Sequence, residues 1–349
     1  MKKFGIIFLP KDLMRHRWFK NFFLSGSISL LIYTFFEIAV RVLVWFYPYY
    51  DVEMWRYGTL FKQRSSEPEM SHRHIPNQSA NLYGVEISIN SKGLRDREFE
   101  YDKKPGVYRI LFLGDSLTLG WGVEFDDLFS KRLEPALSNL LGKPTEVINT
   151  GVGNYNTEQE WTYYKTEGSK YNSDEVMLLY FINDAEPTPI YSEATLKENS
   201  MLLVFLWSRI KKILVKFGQT KNFLNYYNDL YLDEAEGWRI SRESLIAIRN
   251  TVQEKGNRFL VIVCPELRSF RSAYPFRVSH EKIIDFLNNQ GIQSIDLLPI
   301  FRKKISNEKN VWVSWEDSHP NALGHKVIAD GIFEYYRKHL LLPKKTNEL

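Results

Sequence analysis

Cysteine is nearly missing from this chain: Cys264 is the single one in 349 residues. No internal disulfide can form, and cysteine-rich zinc modules are excluded. Net charge is scarce too, since 46 Lys and Arg against 42 Asp and Glu leave only +4. Over this length that is too little to argue for a nucleic-acid partner. There is no internal repeat, no low-complexity tract and no second long apolar run, so solenoids and polytopic membrane proteins are excluded. What is there is ordinary: 44% hydrophobic and 25% charged residues, which are globular values that exclude disorder. The length allows roughly two domains at about 150 residues each.

The one long apolar run is Phe22–Phe46, FFLSGSISLLIYTFFEIAVRVLVWF. As a helix it would reach about 37 Å, enough to cross a hydrocarbon core of about 30 Å. Glu37 and Arg41 interrupt it, and each charge costs roughly 2.5–3.5 kcal/mol at the bilayer centre. Both lie in its second half, and their i,i+4 spacing lets them pair on one helix face, so insertion is expected. Trp45, Tyr47, Tyr49 and Tyr50 follow as an interfacial aromatic belt. Lys2, Lys3, Lys11, Arg15, Arg17 and Lys20 precede the run with Asp12 as the only acid, whereas basic and acidic residues mix after it. The bias predicts a cytoplasmic basic tail over 1–20, a transmembrane anchor over 21–46 and an extracytoplasmic remainder, periplasmic or extracellular. A cleaved signal peptide fits less well, because EIAVRVLVWF prolongs the apolar run past any small-x-small site.

Residues 47–105 are polar and turn-rich and read as a stalk or β-rich lead-in ending at NSKGLRDREFEYDKKPG. From 106 to 342 short apolar runs alternate with helical patterns. The runs are 108–113, 146–149, 175–181, 259–264 and 292–297; the helical patterns lie near 126–141, 157–168, 239–255, 279–290 and 321–340. This alternation predicts an α/β domain with a parallel sheet covered on both faces. Ligands in such sheets bind at the carboxyl ends of the strands, near a topological switch point. An insertion over about 187–237 breaks the rhythm and contains SMLLVFLWSRIKKILVKF. This basic amphipathic helix suits either a membrane interface or a cap on the protein's own surface.

Four candidate elements follow strand ends. LFLGDSLTLGWGV puts Ser116 on a strand-to-helix turn, and NTGVGNYNTEQE presents backbone around Gly151 and Gly153. YFINDAEP carries Asn183, and SWEDSHPNALGH carries His319 before the final helix. Singly, each has a plain reading as a cap, turn or loop residue. Jointly they supply a nucleophile, a base with an acid beside it, backbone N–H donors and a carboxamide. That is the minimum for acyl transfer through a tetrahedral oxyanion.

These segments resemble blocks I, II, III and V of the SGNH (GDSL) hydrolase superfamily, esterases and lipase-like enzymes of flavodoxin-like α/β fold. The anchor, NSKGLRD and GDSLTLGWGV together are similar to its membrane-anchored bacterial members. The resemblance covers roughly residues 107–340. It implies Ser116 as nucleophile, His319 as base, and an oxyanion hole made by the Ser116 N–H, the Gly153 or Asn154 N–H and the Asn183 amide. An acyl-enzyme would then pass its acyl group to water or to a sugar hydroxyl. The chain departs from the family pattern in three places. Counting five residues from Asn149 reaches Asn154, with Gly153 beside it. Phe181 stands where block III has glycine. Family spacing from His319 points to Glu316 as the orienting acid, whereas the commoner chemistry of such triads favours Asp317.

A metal hydrolase is disfavoured. Glu316, Asp317, His319 and His325 cluster in sequence, but no His-x-x-x-His pair occurs, and His72 and His74 read as surface residues. Walker A and Rossmann glycine patterns are absent, so no cofactor is expected. The expected function is a serine esterase acting on O-acyl, chiefly acetyl, esters of a surface or exported glycan or lipid. Two rivals remain: an O-acyltransferase, or partner of a membrane-bound acyltransferase, and a non-catalytic glycan-binding protein. Trp121, Tyr155, Trp161, Trp312 and Trp315 near the motifs suit either sugar stacking or core packing.

Overall fold

The structure is a computed structural model that describes residues 11–191, 200–217, 222–271 and 273–341. The start of the basic tail (Lys2 and Lys3) and parts of the 187–237 insertion lie outside the described residues. Helix α1 (Lys11–Phe46) is followed by α2 (Tyr50–Phe61), strands β1 (Lys62–Arg64) and β2 (His72–His74), and the hairpin β3 (Ser79–Leu82) and β4 (Val85–Ser88). The α/β body then runs β5 (Tyr108–Leu113), α3 (Ser116–Leu119), α4 (Phe129–Leu141), β6 (Thr145–Asn149), α5 (Thr157–Thr166) and β7 (Glu175–Tyr180). The insertion supplies α6 (Met201–Lys216) and α7 (Phe223–Asp229). After it come α8 (Glu236–Glu254), β8 (Arg258–Val263), α9 (Arg277–Asn289), β9 (Gln293–Asp296), α10 (Leu298–Lys304) and α11 (Ala322–Leu341).

The five strands of the body are parallel and ordered β6-β5-β7-β8-β9. That is the flavodoxin-like order 2-1-3-4-5, which reverses direction between β5 and β7. Their near-continuous apolar runs follow from burial on both faces, since right-handed crossovers place helices on each side of a parallel sheet. Helix α4 packs on α11, and α5 on α8. Ile110, Phe112, Val147, Leu178, Val261 and Ile262 are fully buried between these layers.

Of the two expectations for 47–105, a stalk or a β-rich lead-in, the strand pairs β1–β2 and β3–β4 match the second, and the segment packs on the body. Tyr57 and Phe61 of α2, with Leu82, Ile87 and Ile89 of the β3–β4 region, form a second apolar cluster around Leu119 and Trp121. Arg95, fully buried, donates to the carbonyl oxygens of Leu119, Gly120 and Val123. Asp96 accepts from Lys131 and from the Asn149 N–H. The polar composition that suggested a solvated stalk supplies buried hydrogen bonds to the loops at the sheet's carboxyl edge.

Within α1, Trp18–Phe46 is long and apolar enough to cross a membrane. Over an 18-residue stretch of it mean hydropathy is 1.8 and only 11% of that stretch is buried. Arg41 and Glu37 pair at 2.7 Å.

Candidate active site

Ser116 opens α3 directly after β5, and Asn183 follows β7, so the two flank the switch point. Asp115 caps α3 by accepting the Leu117 N–H at 2.8 Å. Its other oxygen accepts the Asn183 side-chain amide at 2.9 Å. This fixes Asn183 beside Ser116 and leaves its second N–H for an oxyanion. Burial pushes the Asp115 carboxyl up, and the Leu117 N–H and Asn183 amide oppose that shift.

The Ser116 hydroxyl lies 2.9 Å from His319 Nε2, and His319 Nδ1 lies 2.5 Å from Asp317 Oδ1. The acid in contact is therefore Asp317. Glu316 turns away toward Lys212, at 3.4 Å. Family spacing pointed to Glu316, but the loop bends at Ser314–Asp317, where reciprocal backbone hydrogen bonds swing Asp317 inward. Trp121 Nε1 donates to the remaining Asp317 oxygen at 2.9 Å. Burial disfavours both charged forms, yet the mutual attraction wins: His319 is held above its ordinary value and Asp317 below.

The block II loop resolves differently from the glycine reading. The Gly153 N–H is donated to the Tyr57 hydroxyl at 2.8 Å, so it does not face Ser116. A Cβ on Gly153 would come within 2.5 Å of the Tyr57 ring, which is why glycine stands there. Asn154, at φ +67°, lines the same cleft as Ser116 and sends its side-chain oxygen to Lys62 at 2.9 Å. No acceptor among the described residues takes its backbone N–H. The Ser116 N–H, in the first turn of α3, is likewise unused by the helix. The Ser116 and Asn154 N–H groups and the Asn183 amide thus belong to residues lining one cleft, the two backbone N–H groups without an acceptor among the described residues.

Phe181 lines the cleft and narrows it to a cavity of about 100 Å³. Tyr50 contributes a ring 6.0 Å from that of His319. Glu266, after β8, accepts from Ser318 at 3.0 Å and steadies the His319 loop. A larger cavity of about 680 Å³ adjoins across Asn154, walled by Trp55, Lys62, Glu186, Tyr191 and Tyr226. Burial pushes the Lys62 ammonium down to about 7.

Other sequence readings are corrected by position. His72 and His74 are buried and hydrogen-bonded, His72 to the Gly153 carbonyl and His74 to Gly93 and Tyr57. Burial, with Lys62 nearby, lowers them to about 3 and about 4, so both are neutral. His325 is a core residue stacked on Phe129, and its Nδ1 accepts the Phe129 N–H. Trp121 and Tyr155 are buried, whereas Trp315 is 82% exposed. The contributions of Tyr50, Tyr57, Arg95, Asp115 and Glu266 were missed in the sequence reading. Only Asp115 carried a local signal, by adjacency to Ser116.

No family model matches the chain, and no curated protein does. Similar solved structures include an α/β hydrolase enzyme from the metagenome of Lake Arreo, Spain, at 14% identity and TM-score 0.43, covering 67% of this chain and 96% of that one. A lipase/acylhydrolase from Enterococcus faecalis matches at 15% identity and TM-score 0.42, covering 66% and 96%. An acetylxylan esterase from Geobacillus stearothermophilus matches at 13% and 0.40, covering 65% and 93%. Independently of these, the sheet order gives the α/β body a flavodoxin-like fold, with Ser116, Asn183 and His319 gathered at its carboxyl edge.

Proposed function

We propose that this protein is a membrane-anchored serine esterase that removes small acyl groups, acetyl above all, from O-acylated glycans or lipids outside the cytoplasm. The observation that carries this reading is the continuous relay Ser116–His319–Asp317, with links of 2.9 and 2.5 Å. Ser116 Oγ attacks the ester carbonyl while His319 takes its proton, and Asp317 stabilises the imidazolium. The tetrahedral oxyanion is held by the Ser116 and Asn154 N–H groups and the Asn183 amide, and each such donor is worth about 10²–10³ in rate. His319 then protonates the leaving alcohol, and water, deprotonated by His319, releases the acyl group. The cavity of about 100 Å³ lined by Ser116, Phe181 and His319 supports a small acyl group. The excess of Lys and Arg before the apolar part of α1 supports an orientation with the site outside the cytoplasm.

A second reading, O-acyl transfer to a sugar hydroxyl, alone or with a membrane-bound acyltransferase, draws support from the adjoining cavity of about 680 Å³. That space is large enough for a bulky acceptor. The test uses the full chain in lipid nanodiscs with p-nitrophenyl acetate and p-nitrophenyl octanoate, each with and without an oligosaccharide acceptor. We expect acetate turnover that Ser116→Ala abolishes, with octanoate much poorer. Turnover only in the presence of acceptor selects the transferase. A folded protein inert in every arm, or turnover unchanged by Ser116→Ala, overturns the serine mechanism.

A further inference from the structure

The helix α6 has two faces with different fates. Met201, Phe205, Ser208 and Lys212, spaced four, three and four, turn toward α1, α2 and the Tyr49 turn. Leu203, Leu206, Ile210, Ile213 and Phe217, spaced three, four, three and four, lie uncovered, with Trp207 beside them.

Its contacts with α1 form a ruler. At its start, the Glu37 carboxylate accepts from the Ser200 hydroxyl and from the N–H groups of Met201 and Leu202, at 2.8–3.1 Å. Further along, Phe205 meets Tyr49 edge-on, Arg209 lies over the Tyr49 ring, and Lys212 Nζ donates to the Tyr49 hydroxyl at 2.7 Å. The chain from Glu37 to Tyr49 and the chain from Met201 to Lys212 therefore run parallel, level by level. Glu37 lies nine residues, about 14 Å, below Phe46 at the end of α1. That is close to half of a hydrocarbon core of about 30 Å. The sequence of α6 agrees with the ruler. Met201–Ser208 holds no charge, and every charge of the helix (Arg209, Lys211, Lys212 and Lys216) lies beyond it, at the level of the aromatic belt and above.

We infer that α6 is a second membrane-embedded element: its first two turns stand in the outer half of the bilayer beside α1, and the uncovered apolar stripe they carry, Leu203 and Leu206, is covered by lipid acyl chains. The occupant is lipid because the stripe lies beside the uncovered apolar surface of α1, which includes Ile38, Val42 and Leu43 at the same levels. The change to basic residues falls where phosphate headgroups would meet them. This arrangement also explains a carboxylate in a membrane helix. The first N–H groups of a helix have no intrahelical partner, and leaving them bare in hydrocarbon is strongly unfavourable. Glu37 satisfies two of them, and Arg41 compensates its charge. One consequence concerns the site: Lys212 of α6 reaches Glu316, the neighbour of Asp317, so the embedded helix is tied to the His319 loop.

The inference rests on α1 being an anchor, and the test separates the two. Leu43→Cys, Leu206→Cys and Lys216→Cys are made singly in the full chain, labelled with bimane and reconstituted in phosphatidylcholine–phosphatidylglycerol vesicles. Buried Cys264 serves as the labelling blank. Quenching is read with lipids brominated in mid-chain and with aqueous iodide. We expect bromolipids to quench labels at 206 and 43 to the same extent while iodide spares both, and iodide to quench at 216. Quenching of 43 but not 206 by bromolipid, with 206 open to iodide, overturns the embedded helix and leaves the anchor standing. Failure at 43 overturns the anchor itself. A label at 206 shielded from both quenchers, together with disulfide-linked dimers of Leu206→Cys, identifies a second copy as the occupant and overturns lipid. Glu37→Leu, which removes the cap, is expected to make position 206 accessible to iodide while 43 stays protected; no change at 206 would sink the capping role.

Discussion

The indole N–H of Trp121 and the imidazole of His319 hold opposite oxygens of one carboxylate, Asp317, at 2.9 and 2.5 Å. The acid of the relay is thereby fixed from two sides, by a residue five positions after Ser116 and by one two positions after itself.

Replacing Trp121 by Phe keeps the ring packing but removes that donor. A hydrogen bond to a charged group is worth about 1.5–3 kcal/mol, so kcat is expected to fall roughly tenfold to a hundredfold with KM little changed. Steady-state kinetics on p-nitrophenyl acetate check this. A KM effect without a kcat effect would mean that Trp121 does not position Asp317.

Asp317→Asn and Glu316→Gln separate the two candidate acids. Asparagine at 317 leaves His319 in the wrong tautomer and is expected to lower kcat by about 10⁴. Glutamine at 316 loses only a contact to the half-exposed Lys212 and should stay within a few-fold. The reverse ranking would restore the family spacing.

The pH profile follows from His319. Its folded value is raised: burial opposes the charge, but Asp317 favours it more strongly. As a base it works only when neutral, so kcat/KM should be low in acid and rise through a midpoint above 6.5, the ordinary value. In Asp317→Asn the residual activity should titrate at lower pH, because the main raising cause is gone. An unshifted midpoint in that variant would assign the titration to another group.

Tyr57 joins the lead-in to the block II loop. Tyr57→Phe leaves the Gly153 N–H buried without its acceptor and His74 Nε2 without its contact, while His74 Nδ1 keeps Gly93, a loss of about 1–3 kcal/mol. Gly153→Ala forces a Cβ against the same ring, at a cost of about 1–3 kcal/mol. Both should lower Tm in nanodiscs, and the double variant should cost less than the sum, since removing the hydroxyl frees space. Strict additivity would argue against direct contact.

Glu160 is buried with neither carboxyl oxygen hydrogen-bonded, and burial together with Asp184 and Asp115 pushes it well above 4.5. The folded state therefore keeps a proton that the unfolded chain loses above about pH 4.5, and stability from this group falls as pH rises. Glu160→Gln should make Tm less dependent on pH between 5 and 8, with its largest gain over the parent at pH 8. Parallel Tm curves for the two proteins would show that Glu160 is not held neutral.

Much of this protein was readable along the chain. The β5 run Tyr108–Leu113 was placed residue for residue, and the other strands and the long helices α4, α5, α8, α9 and α11 fall within a few residues of their periodic patterns, whereas the short α3 and α10 had no pattern of their own. Periodicity is a local property, because burial of a strand or helix face is written in adjacent residues. Ser116, Asn183 and His319 were legible for a related reason: a parallel sheet sends every strand end to one edge, so residues after those ends must meet.

What the sequence could not decide depends on close approaches across long separations. Whether Asp317 or Glu316 meets His319 turns on the Ser314–Asp317 bend. Which block II amide is free turns on Tyr57, ninety-six positions away. The lead-in looked like a stalk because polar residues such as Arg95 usually mark solvent; here they satisfy buried carbonyls, a pairing no local pattern encodes. The orientation of α6 was equally hidden: its amphipathic sequence permits an interfacial or a cap helix. The bonds from Glu37 to its first turn, with the Tyr49 contacts of Phe205, Arg209 and Lys212 further along, set it parallel to α1. Local patterns fix which groups a segment can offer, and tertiary packing decides which partner takes them, because hydrogen bonds act over about 3 Å whatever the distance along the chain.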